Sequence, residues 1–174
     1  MADAAGTLTT NRAREYDAAA RDAARRASVL DASDITARMR ATVDALWTHL
    51  SPSGVSWVGF YLPARDQNGQ LELILGPSRD KPACSPIGLH GVCGQSLVGR
   101  CVRIIRDVAD LGGAYVACDP RDRSEIVIPV EQDGACVAVL DLDSHEVGRF
   151  GEADEVGLRQ VLRAAGLSGA VRGE

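Results

Sequence analysis

Apolar residues along the chain fall into two rhythms, one helical and one alternating. Ile35, Met39, Val43, Leu46 and Leu50 recur at helical spacing, which predicts an amphipathic helix with Ser33 at its N-cap. The run Ser51-Pro52-Ser53-Gly54 ends it, and residues 55–62, rich in aromatic and branched side chains, read as a buried strand. A second strand follows over 71–75, then a short helix near 95–99 and a strand near 102–105. Residues 125–130 and 135–143 form an evident hairpin, and a closing helix over 152–166 places Val156, Leu158, Val161 and Leu162 on its apolar side. Ahead of all these, residues 11–28 favour helix but are nearly all Ala, Arg and Asp, so they bury only a thin stripe.

Strand pairs on short turns, with helices gathered toward both ends, predict the α+β class: an antiparallel sheet covered by helices on one face. At 174 residues and 45% hydrophobic the chain supports one core. We read residues 1–30 as a peripheral helical segment and 31–170 as the domain.

Composition narrows the function classes. Acidic residues outnumber basic ones by 24 to 19, and no Lys/Arg cluster with interleaved aromatics is present, so nucleic acid is not an expected partner. No run approaches the roughly 20 apolar residues that span a bilayer, and the N-terminus lacks a signal-peptide pattern, so neither a membrane nor export is expected. Asp3, Glu15, Asp17 and Asp22 put acids where a transit peptide avoids them. Five cysteines, an odd number, point to reduced thiols in the cytoplasm.

The cysteines divide by context. Cys101 and Cys136 lie in or beside strands among apolar neighbours and read as core filler. Cys84, Cys93 and Cys118 fall in long Gly- and Pro-rich stretches of the kind that usually carry function. A zinc site completed by His90 is the competing reading, but the Cys-x-x-Cys pair usual for structural zinc is missing, so no metal is expected.

The hairpin admits two registers. A two-residue Asp133-Gly134 turn pairs Glu125 with Leu142 and mixes acids with apolar residues on both faces. A three-residue loop, Gln132-Asp133-Gly134 with Gly134 left-handed, pairs Glu125 with Asp141 and segregates the faces. One face then carries Ile126, Ile128, Val130, Cys136, Ala138, Leu140 and Leu142. The other carries Glu125, Val127, Val139, Asp141 and Asp143. We take the segregated register. It gathers three carboxylates at one end of the hairpin, where mutual repulsion keeps at least one protonated near neutrality.

These residues resemble a known family, the GAF-type free methionine-(R)-sulfoxide reductases, over about 33–162. The carriers are Trp57-Val58-Gly59-Phe60-Tyr61, Gly76-Pro77 through Lys81-Pro82-Ala83-Cys84, Gly91-Val92-Cys93-Gly94, Ala117-Cys118-Asp119, Ser124-Glu125-Ile126-Val127, Leu140-Asp141-Leu142-Asp143-Ser144 and Gly148-Arg149-Phe150. The sequence departs from the family pattern at Asp80, where Gly is common. Its Cys84 to Cys93 interval is one residue shorter, and its loop before Cys118 one longer.

The resemblance implies a GAF fold, free methionine sulfoxide as substrate, Cys118 as nucleophile, Cys84 as resolving thiol and Cys93 as a further exchange partner. It also implies thioredoxin or a similar thiol as reductant, and no metal or organic cofactor. Trp57 and Tyr61, on one side of their strand, would line the pocket for the methylthio end, although their period alone equally fits core aromatics. Glu125, Asp141 and Asp143 would grip the sulfoxide oxygen and supply the proton it needs to leave. GAF domains often dimerise, so a homodimer is possible. The alternative from another class is a GAF sensory module that binds a small effector without catalysis.

Overall fold

The computed structural model describes residues 4–79, 83–114 and 118–167. The motif positions Asp80, Lys81, Pro82 and Ala117, and the domain end placed at 170, lie outside the described residues. Four helices, α1 (Ala4–Ala27), α2 (Ile35–Leu50), α3 (Val92–Gly99) and α4 (Glu152–Ala164), accompany five strands. These are β1 (Trp57–Arg65), β2 (Leu71–Arg79), β3 (Arg103–Ile105), β4 (Ser124–Gln132) and β5 (Ala135–Ser144). The strands form one antiparallel sheet in the order β2-β1-β5-β4-β3, so the class is α+β.

Alternation along the strands gives the sheet two apolar faces. On one, Val58, Phe60, Ile126, Ile128, Leu140 and Leu142 pack with Met39, Val43, Leu46 and Leu50 of α2 and Leu158, Val161 and Leu162 of α4. On the other, Trp57, Tyr61, Val127 and Val139 pack with Val92, Cys93 and Leu97, so short α3 covers the face opposite the long helices. Among the described residues no helix is long and apolar enough to cross a membrane.

Several expectations are corrected by local geometry. The α2 N-cap is Asp34, whose side chain accepts from the Ala37 backbone N–H, while Ser33 bonds to Asp31. Val156 is 65% exposed, on the solvent side of α4. The α1 segment read as peripheral lies on α2 and α4, and it adds Tyr16, Ala19, Ala20 and Ala23 to the main core.

The hairpin follows neither anticipated register. Asp133 and Gly134 form a two-residue turn, both left-handed (φ 51° and 78°), with Gln132 paired to Ala135. A bulge then follows, as Glu131 pairs with Cys136 and Val130 with Ala138, leaving Val137 as the extra residue. Glu125 consequently faces Asp143, and Asp141 faces Val127. Because the net shift from the three-residue register is even, the acids and the core residues keep the faces anticipated for them. Cys136 does not: the bulge turns it to the α3 side, while Val137 packs on the main core.

Candidate active site

The sheet rows set out the site. Trp57, Asp143, Glu125 and Ile105 stand in one row across β1, β5, β4 and β3, and Gly59, Asp141, Val127 and Arg103 in the next. Directly paired residues share a face, so the three acids stand together on the α3 side. A side chain at Gly59 would run into the Trp57 ring, so glycine there lets the indole lie across β1. Trp57 and Tyr61 have ring centroids 6.0 Å apart. All of these except Gly59 and Val127 line a cavity of about 510 Å³.

The loop before α3 and the loop before β4 meet over this face. The backbone N–H of Cys84 donates to Cys118 Sγ at 3.4 Å, and the Tyr61 hydroxyl donates to the Cys84 carbonyl at 3.0 Å. Both thiol-bearing residues are exposed on the cavity rim. Burial of its sulfur first, and then the neighbouring Cys84 thiol, push the Cys118 thiol up to about 12, while the Cys84 N–H works the other way. The nearby guanidinium groups are spoken for: Arg121 pairs with Asp119 at 2.8 Å and Arg123 with Asp107 at 3.3 Å.

Cys93 stands apart from that pair. It belongs to α3 rather than to a loop, is buried, and donates from Sγ to Asp141 Oδ2 at 3.2 Å. Burial, then Asp141 and Glu125, hold its thiol well above the usual range. Cys101, read as core filler, is exposed, and Cys136 is half-buried.

Burial and mutual repulsion favour the neutral acids. Glu125 is 5% exposed and Asp141 6%. Burial first, then Asp143 and Asp122, raise the Glu125 carboxyl well above its ordinary range. Burial and the charge of Glu125 do the same for Asp141. Glu125 Oε2 and Asp141 Oδ1 are buried with no hydrogen-bond partner, an arrangement that costs free energy until a ligand or a shared proton satisfies it.

Among the described residues, two groups have ligand atoms within 4.8 Å of one another, the spacing a metal ion would need: Cys93 with Glu125 and Asp141, and Asp119 with Asp122 and His145. Neither joins the three anticipated cysteines with His90, which lies on the cavity wall. Sequence reasoning missed Asp122, buried in the cavity lining, and Arg103, whose Nε is buried and unpartnered there. The Asp-Pro-Arg-Asp run that holds Asp122 gives no local signal, and the face that Arg103 takes follows only from its pairing with Val127.

No family model matches the chain. Free methionine-R-sulfoxide reductase of Escherichia coli is 42% identical over 110 residues, 62% of each chain. The structure of free methionine-R-sulfoxide reductase from Neisseria meningitidis, solved in complex with its substrate, superposes with a TM-score of 0.76 at 31% identity, covering 89% of this chain and 88% of that one. A structure described as a GAF domain gives a TM-score of 0.75 at 24% identity over 88% and 86% of the two chains, which shows the fold.

Proposed function

The chain belongs to the GAF-type free methionine-R-sulfoxide reductases, and from that membership we propose that it reduces free L-methionine (R)-sulfoxide with Cys118 as nucleophile and Cys84 as resolving thiol. The observation that carries this reading is one cavity holding two thiol-bearing residues in contact and a buried, unsatisfied acid pair.

In this reading Glu125 and Asp141, with Asp143 beside them, hold the sulfoxide oxygen. The protonated acid donates to it, because an unprotonated sulfoxide oxygen is a poor leaving group. Glu125 and Asp141 are both pushed toward the neutral form, and the proton is assigned to the pair rather than to either residue. Cys118 Sγ attacks the sulfur as oxygen transfers. Methionine departs, reduced by two electrons, and Cys118 is left as the sulfenic acid. Cys84 then attacks Cys118 Sγ, releasing water and forming a disulfide, which an external dithiol such as thioredoxin returns to two thiols. The Cys84 N–H, already on Cys118 Sγ, stabilises negative charge on that sulfur. Trp57 and Tyr61 take the methylthio end. The usual resolving geometry needs Cα atoms within about 7 Å. Direct contact of the Cys84 backbone with Cys118 Sγ supports that bridge. Cys93, bonded to Asp141, serves better as a holder of that carboxyl than as an exchange thiol. The reducing cytoplasm is the setting this cycle requires.

The test is single turnover with each sulfoxide epimer. Wild type converts the (R) epimer with dithiothreitol. Cys118→Ser forms no methionine even once, whereas Cys84→Ser releases about one methionine per enzyme and stalls with thioredoxin. Normal turnover by Cys118→Ser would falsify the assignment.

A further inference from the structure

The cavity lining is strongly one-sided in charge. Asp122, Glu125, Asp141 and Asp143 face it, and among the described lining residues Arg103 is the one Lys or Arg. Arg103 is paired with Val127, so its side chain shares the α3 face with Asp141, two strands away in the same row and roughly 10 Å distant by strand spacing. Its half-buried guanidinium has Nε buried without a partner. Among the described residues nearby, Arg100 is paired with Glu131, Arg121 with Asp119 and Arg123 with Asp107.

We propose that Arg103 is the subsite for the α-carboxylate of a free amino acid, and so a specificity-determining residue of this enzyme. The proposal rests on reading the cavity as a methionine sulfoxide site. A free amino acid is a zwitterion. Its sulfoxide oxygen is accounted for by Glu125 and Asp141, and its ammonium finds carboxylates in Asp122 and Asp143. Its carboxylate finds no cationic partner among these acids and needs one at the far end of the ligand. Arg103 stands there, on the sheet edge beyond the acids. A guanidinium offers parallel N–H donors from Nε and Nη to the two carboxylate oxygens, a fork that lysine does not reproduce. Carboxylate binding also gives the buried Nε a hydrogen-bond acceptor, which offsets the desolvation penalty of a buried donor. A sulfoxide within a peptide has no free α-carboxylate to offer, so this contact selects the free amino acid.

The experiment compares free L-methionine (R)-sulfoxide with its carboxamide, which keeps the ammonium and loses the carboxylate charge. Arg103→Gln is expected to lower kcat/KM for the free acid by roughly 10- to 100-fold, mostly through KM, with the carboxamide rate unchanged. Arg103→Lys should recover part of the loss. An equal effect on both substrates, or none on either, overturns the proposal. If wild type reduces no sulfoxide, the reaction assignment falls. Calorimetry with L-methionine then tests the subsite, and unchanged affinity in Arg103→Gln overturns it.

Discussion

Asp141 has two opposed roles, since the burial and the Glu125 charge that raise its pKa also make its ionised form expensive in the folded protein. With the folded-state pKa above the unfolded one, this group's stabilising effect is complete below the unfolded pKa and is lost as pH rises through the folded pKa. Asp141→Asn removes that loss. Its melting temperature should exceed that of wild type by more at pH 8 than at pH 5, while turnover falls by roughly 100-fold. A variant less stable than wild type at pH 8 would count against a buried, charge-averse acid. At this scale the sequence was informative where chemistry repeats with period two: Glu125, Asp141 and Asp143 could be placed on one face without coordinates. Cys118 and Cys84 were assigned by family resemblance. Cys93 was misplaced because Gly91 and Gly94 look like loop, yet Gly91 is the N-cap of α3 and Gly94 lets the helix pass close to the Leu89 backbone. Arg103 stayed invisible because a lone arginine in a three-residue strand carries no local signal of which way it points.

The β4–β5 hairpin shows why face assignment survived an error in register. Its turn takes the two-residue form that Asp-Gly favours, and the bulge at Val137 adds the residue that realigns acids with acids. Nothing in a single sequence marks a bulge among alternating apolar residues, so the pairing of Glu125 with Asp143 required the structure. Gly134, at φ 78°, holds a backbone that costs a residue with a Cβ about 1–2 kcal/mol. Gly134→Ala should therefore lower unfolding free energy by about that much in urea titration. The acids stand at the opposite end of the hairpin, so kcat/KM should not change. A fall in kcat/KM matching the stability loss would mean that the turn, and not the sheet rows, positions the acids. Among the helices, α4 is tied through Asp154, fully buried, which accepts from Tyr16, Arg149, Arg12 and its own N-terminal Gly151 N–H. Asp154→Ala leaves the buried Arg149 guanidinium without its counter-charge, and a cost of about 3–5 kcal/mol should appear in the same titration.

Across the whole molecule the sheet separates the main core from the candidate site. The main core and the Asp154 network lie on the α1, α2 and α4 side, while the thiols, acids and Arg103 lie on the α3 side. The α+β class and the gathering of the three acids on one sheet face were legible from strand alternation. The depth at which α1 is embedded was not, since alanines at helical spacing look the same on a solvent-facing helix as on one packed against two others. Deleting residues 1–30 tests that division. The deletion exposes the α2 and α4 surfaces now covered by Tyr16, Ala19, Ala20 and Ala23, and strips Asp154 of the Tyr16 and Arg12 donors while leaving Arg149 and Gly151 in place. Lost apolar burial at about 25 cal/mol per Å² together with two lost hydrogen bonds predicts a destabilisation of several kcal/mol, seen as a lower melting temperature. Because no described α1 residue lines the cavity, the fraction that remains folded at low temperature should form methionine in single turnover at the wild-type rate. If the truncated protein is folded by circular dichroism yet slower in that step, α1 acts on the site through the sheet, and the two faces are not independent.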